Sequence, residues 1–139
     1  MTIKQISIFL ENQAGCLNQA LAILAKHGIN IKALTIADTA DFGIVRLIVS
    51  EPNKAFEVLK IENYTVSLQD ILSIEMSAEA GSLSAILDLF AADGLSVEYI
   101  YAFSYGSKSI LVIRTANREQ AEEIVRKNNL KTVSESDLK

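Results

Sequence analysis

The sequence predicts an α+β fold of two similar units side by side, each running strand, helix, strand, strand, helix, strand. Three observations carry that prediction. Glu11-Asn12-Gln13-Ala14-Gly15 joins an apolar alternating stretch to a helical one, and the same plan returns sixty-six positions later at Ser77-Ala78-Glu79-Ala80-Gly81. Self-similarity at a fixed spacing marks an internal repeat. Within each copy the apolar period changes from about two to about 3.6 and back, the signature of strands alternating with amphipathic helices. No Pro-, Gly- or Ser-rich linker separates the copies, and Asp70 to Met76 runs straight from one into the next. Two domains, 1–70 and 71–139, are therefore expected to pack rigidly.

The elements follow in order. Ile6, Ile8 and Leu10 alternate as a strand with one buried face. After the Asn12 to Gly15 loop, Leu17, Ala20, Leu21 and Leu24 fall at i, i+3, i+4 and i+7, one helical stripe. Gly28 stands where a left-handed residue ends a helix, and Asn30 to Ala37 reads as a second strand. Asp38 to Asp41 reads as a turn, Gly43 to Val49 as a third strand, and Pro52 opens a second helix, where a missing N–H is tolerated. Ala55, Val58 and Leu59 give that helix its inner face, and Tyr64 to Leu68 forms the fourth strand.

The second copy keeps the plan: Ser73 answers Ser7, Leu87 answers Leu21, Gly94 answers Gly28 and Ala121 answers Ala55. Thr132-Val133-Ser134 echoes Thr65-Val66-Ser67 with a slip of one residue near Asn128 to Lys131. This element order is the ferredoxin-like split βαβ arrangement, an antiparallel sheet with both helices on one face. Its second strand lies at an edge. Here that strand is long and apolar in both copies, so the edges Asn30–Ala37 and Ser96–Phe103 are expected to pair and join the sheets.

Composition narrows the function. The chain has 139 residues, half of them hydrophobic, with a net charge of −4 and a pI near 5.0. An acidic protein is a poor partner for nucleic acid or an anionic membrane. Cys16 is the sole cysteine, which excludes an internal disulfide and suits a reducing compartment. No apolar run reaches the length of a spanning helix, and the protein is expected in the cytoplasm. One His, one Cys and no metal-ligand spacing give catalysis and metal binding no foothold, so no catalytic residue, metal or cofactor is expected. An RNA-recognition reading has little weight, because Asp41-Phe42-Gly43-Ile44-Val45-Arg46-Leu47 carries one aromatic and an acidic start where alternating aromatics are wanted, and the protein is acidic as a whole. A small molecule or another protein is the expected partner.

The quoted residues resemble the ACT domain, in tandem and of the small stand-alone kind, over about Ile3 to Asp137. Glu11-Asn12-Gln13-Ala14-Gly15-Cys16-Leu17 resembles the family's E-N-x-P-G-x-L loop, and Lys26-His27-Gly28-Ile29-Asn30-Ile31 resembles its A-x-x-G-I-N-I segment. Ala92 to Val97 and Tyr99 to Phe103 look like the second unit of two-domain members. Ala14 and Ala80 stand where the family usually has proline, Ala78 replaces the loop Asn, and Ser96 replaces the strand Asn.

The resemblance implies a non-catalytic regulatory protein that binds a small effector, usually an amino acid, between paired domains. It further implies a homodimer and, as regulated partner, an enzyme of amino-acid metabolism. The chemistry agrees: a Gly-containing loop opening a helix offers N–H groups to a carboxylate, and a carboxamide serves either end of a zwitterion. With the edges paired, Asn12, Gln13, Ala14, Gly15, Cys16 and Leu17 would face Ser96, Tyr99 and Tyr101. Ala80, Gly81, Ser82 and Leu83 would face Asn30. Each residue also has an ordinary reading. Asn12 can be a turn residue, Asn30 a helix cap, Cys16 a small residue in a tight loop, and the tyrosines packing. Positions 99, 101, 103 and 105 share one face, and some of them are expected to meet the helices. The alternative function is an assembly module whose ligand pocket is vestigial.

Overall fold

The computed structural model describes residues 1–11, 13–38 and 42–138. In chain order the elements are β1 (Thr2–Glu11), α1 (Cys16–Lys26), β2 (Ile31–Asp38), β3 (Phe42–Val49), α2 (Pro52–Ile61) and β4 (Thr65–Met76). They continue as α3 (Ser82–Ala92), β5 (Val97–Tyr105), β6 (Lys108–Thr115) and α4 (Arg118–Lys127), with a closing 3₁₀ turn at Glu135–Leu138. Of the expected turn Asp38 to Asp41, Asp38 ends β2 and positions 39–41 lie outside the described residues. The strands form a six-stranded antiparallel sheet in the order β2-β3-β1-β4-β6-β5.

The chain divides into two compact units, Lys4–Asp70 and Ile71–Lys139, the latter taking Met1–Ile3 with it. In the first unit the strand residues of one parity face the helices. Ile6, Ile8 and Leu10 of β1 and Val45, Leu47 and Val49 of β3 bury against Leu24 of α1 and Ala55 and Leu59 of α2. Each fully buried aliphatic side chain contributes about 1.5–3 kcal/mol of transfer free energy, so this shared cluster fixes both helices on one face. The second unit repeats the scheme with Leu72 and Ile74 of β4, Leu111 and Ile113 of β6, Ile86 and Phe90 of α3, and Ile124 and Val125 of α4.

All four helices end alike. In α1 the Gly28 N–H bonds to the Ala25 carbonyl and the Ile29 N–H to the Leu24 carbonyl, both at 3.0 Å. With Gly28 at φ 71°, this is the Schellman motif. Gly94 supplies the left-handed residue after α3, while Asn63 and Asn129 do so after α2 and α4. Backbone donors thus cap the end of α1, and the capping role weighed for Asn30 falls to Gly28 and Ile29.

Two expectations about strand pairing are corrected. The second strands of the two copies do not pair with each other: β2 stands beside β3 alone and β5 beside β6 alone, at the ends of the strand order. The physical reason is chain continuity. The fourth strand of copy one and the first of copy two are one uninterrupted strand, β4, whose first half belongs to the first unit and second half to the second. A strand that runs on needs no loop closure to carry pairing onward.

The last strand of copy two is also reduced, to a single bridge between Thr132 and Ile74. Part of its place beside Ser73 is taken by the N-terminus. The Ser73 N–H donates to the Met1 carbonyl at 3.0 Å, and the Ser73 carbonyl accepts from Val133 N–H at 3.0 Å.

Candidate functional site

The loop that opens α1 is a turn closed by the Cys16 N–H on the Gln13 carbonyl at 3.2 Å. Gly15 sits in it at φ 88°, ψ −13°. With Ala14 before it at negative φ, these values at the third turn position define a type II turn, which requires a positive φ there. The copy-two loop has the same form: Ser82 N–H bonds to the Glu79 carbonyl at 3.2 Å, with Gly81 at φ 89°, ψ −7°. A Cβ at either glycine would meet nothing within 4 Å, so the backbone conformation, rather than crowding, demands glycine.

Among the described residues, neither α1 nor α3 has a side-chain cap at its start. By contrast, the Asn117 side chain of α4 accepts from the Gln120 N–H at 3.1 Å. The uncapped starts leave helix N–H groups for water or a ligand. Gln13, Ala14 and Gly15 are exposed, Cys16 is half-buried, and Leu17 packs onto the first core. Ala80 and Gly81 are exposed, Ser82 is half-buried and Leu83 is exposed. Asn12 lies outside the described residues.

The strand starts lie elsewhere. Glu11 pairs with Phe42 at one end of the first unit's sheet, and Ile31 pairs with Val49 at the other. The Gly15 loop follows the first end and Asn30 precedes the second, so the loop and the strand start of this one unit stand a strand's length apart. In the second unit Gly81 follows the end where Met76 meets Ser109, while Ser96 precedes the end where Val97 meets Thr115. The β2 to β5 pairing that would have set one copy's loop opposite the other copy's strand is absent from the strand order.

Asn30 is exposed and held through its main chain: its N–H donates to Ser50 Oγ at 3.0 Å and its carbonyl accepts from the Ser50 N–H at 2.9 Å. Ser96 is exposed and keeps only the second of these bonds, its carbonyl accepting from the Ala116 N–H at 3.1 Å. Ser50 was missed in the sequence. The signal that could have found it is the Ser50 to Ala116 difference between otherwise matching copies.

The tyrosines correct another expectation. Tyr101 pairs with Val112 and Phe103 with Ile110, whereas Leu111 and Ile113 face the helices. Ile100, of the other parity, packs onto the helix-side core. Tyr99, Tyr101 and Phe103 therefore lie on the face away from α3 and α4, and the Tyr105 hydroxyl donates to the Leu138 carbonyl at 2.8 Å. His27, at the end of α1, is exposed and donates from Nδ1 to the Ile23 carbonyl at 2.9 Å. Among the described residues no three His, Cys, Asp or Glu side chains are grouped to hold a metal ion, and no helix is long and apolar enough to cross a membrane.

A family model described as ACT domain pair matches residues 1–139. The chain belongs to the ACT domain pair family. As an ACT domain pair it is similar to protein BT0572 from Bacteroides thetaiotaomicron, known as a crystal structure, at 39% identity and TM-score 0.90 over 99% of this chain and 96% of that one. The regulatory subunit of aspartate kinase from Thermus thermophilus shares the fold, with TM-score 0.62 at 20% identity over 91% of this chain and 90% of that one. One curated relative is the acetolactate synthase isozyme 3 small subunit of Escherichia coli, 29% identical over 69 residues, half of this chain and 42% of the relative. The match thus spans less than half the length of the curated relatives.

Proposed function

We propose that this ACT domain pair binds a free amino acid between two copies of the chain. In this reading the Gln13 to Leu17 loop of one protomer, with Asn12, faces the start of the second strand of its partner. The observation that carries it is the separation of Gly15 from Asn30 within a unit: both are exposed, yet they stand at opposite ends of the sheet. Antiparallel pairing along an outer strand reverses the neighbour, so the partner's strand start arrives at the loop's end. β2 is such a strand, and Leu34 and Ile36 on it are 39% and 48% exposed, an apolar edge of the kind that invites pairing.

In the loop, uncapped N–H groups of α1 receive the carboxylate, and the Asn30 carboxamide of the partner accepts from the ammonium group. The relatives named as regulatory or small subunits of aspartate kinase and acetolactate synthase point to an enzyme of amino-acid metabolism as the regulated partner.

A second reading has its own support. Copy two has Ala78, Ser96 and Ala116 where copy one has Asn12, Asn30 and Ser50, so its polar set is depleted. In this reading the second copy is an assembly surface whose pocket is vestigial.

Thermal unfolding against each of the twenty amino acids at millimolar concentration tests the proposal. A ligand at a hundred times its dissociation constant stabilises by about 2.7 kcal/mol when it binds only the folded state. One or a few amino acids are expected to raise the midpoint, and Asn12→Ala and Asn30→Ala to abolish the rise. A flat response from folded protein shown by mass spectrometry to carry no bound ligand would sink the amino-acid reading and favour assembly.

A further inference from the structure

We infer that Ser50 is a positioning residue for the effector site and that its hydroxyl confines effector binding to the first copy; this rests on the role given above to Asn30. Asn30 sits just before a register shift between Ile31 and Ala33, where the β2 ladder to β3 is irregular. Regular strand pairing therefore does not fix its main chain. Ser50 does, taking the Asn30 N–H on Oγ at 3.0 Å and giving its own N–H to the Asn30 carbonyl at 2.9 Å. With both peptide groups held, the Cα–Cβ direction of Asn30 is set while its side chain stays exposed. A carboxamide aimed in advance loses less freedom when a ligand arrives.

The repeat keeps much of this corner in the second copy. Near the same corner Lys54 Nζ donates to the His27 carbonyl at 3.0 Å, and sixty-six positions on Gln120 Nε2 donates to the Asp93 carbonyl at 3.0 Å. The backbone bond is kept as well, from Ala116 N–H to Ser96 carbonyl. Of the two bonds that hold the Asn30 main chain, the one to the hydroxyl is lost. The neighbouring Thr115 turns its hydroxyl the other way along the chain, its Oγ1 donating to the Asn117 carbonyl at 3.0 Å. The second copy therefore keeps the same corner without the clamp, and with serine in place of the carboxamide.

The test measures affinity by calorimetry for whichever of the twenty amino acids stabilise the wild-type protein, together with amide exchange by NMR. Ser50→Ala is expected to weaken binding about tenfold, the scale of one hydrogen bond, and to speed exchange at the Asn30 amide. Ser50→Thr, which keeps the hydroxyl, is expected to restore both. A purely structural serine would lower the unliganded melting point and leave affinity unchanged; that result, with Asn30→Ala still abolishing binding, overturns the positioning role and leaves the effector reading standing.

If Ser50→Ala does not fold, Ala116→Ser decides: slower exchange at the Ser96 amide supports the clamp, and unchanged exchange overturns it. Wild-type protein that binds none of the twenty overturns the effector reading and this inference together.

Discussion

Gln5 and Gln69, sixty-four positions apart, are joined by a hydrogen bond from Gln5 Nε2 to Gln69 Oε1 at 2.9 Å. The same oxygen accepts from Ser7 Oγ at 2.9 Å, and both Gln5 and Ser7 are buried. One acceptor thus satisfies two buried donors from β1. Gln69→Leu removes it and is expected to cost about 2–3 kcal/mol, the scale of leaving buried donors unmatched. Adding Ser7→Ala removes one of those donors, so the double variant should lose less than the sum of the singles. Urea unfolding of the three proteins checks the coupling, and strict additivity would contradict it.

The two loop turns predict stabilising changes. Ala14 and Ala80 occupy the second position of type II turns, where proline's fixed φ is favoured. Ala14→Pro and Ala80→Pro are each expected to stabilise by about 0.4–1 kcal/mol by restricting the unfolded chain. Gly15→Ala and Gly81→Ala should instead cost about 1–2 kcal/mol each. The two costs should be nearly equal, because the φ values are 88° and 89° and neither site is crowded. Denaturant midpoints of the four variants test both signs.

Core and surface should differ sharply within similar chemistry. Phe90 is fully buried between α3 and the second sheet half, so Phe90→Ala is expected to cost about 3–5 kcal/mol. Ile61, at the end of α2, is 75% exposed. Ile61→Ser should change stability by no more than about 0.5 kcal/mol. Urea titration distinguishes the two outcomes.

Assembly is checked at β2. Leu34→Lys with Ile36→Lys puts charge on exposed positions of the outer strand and should leave the folded chain within about 1 kcal/mol of the wild type. If two copies pair along β2, analytical ultracentrifugation is expected to show a dimer for the wild type and a monomer for the variant. An unchanged dimer would move the contact to another surface.

Much of the fold was legible because its signals are local. The Ile6, Ile8, Leu10 alternation, the Leu17 to Leu24 stripe and the Gly28 stop each depend on residues a few positions apart, and α2 begins at Pro52 as its fixed φ suggests. The reduced final strand was harder to read. Thr132 to Ser134 carries the echo of a strand, but part of the line it would occupy beside β4 is taken by Met1, more than a hundred positions away. The turn form of the Gly15 loop was legible in outline, while the clamp on Asn30 was hidden because Ser50 meets it only through a bend of twenty residues.

By itself, the sequence determined the repeat, the order of elements, the inner faces of α1 and α2 and the family, since periodicity, caps and turn glycines act over short range. The tertiary structure decided which strands became neighbours, which face the tyrosines of β5 occupy, and that Gly15 and Asn30 stand at opposite ends of one unit. Those outcomes depend on strand register and chain continuity, and a ladder that shifts by one residue, or a strand that runs on without a turn, changes every contact beyond it.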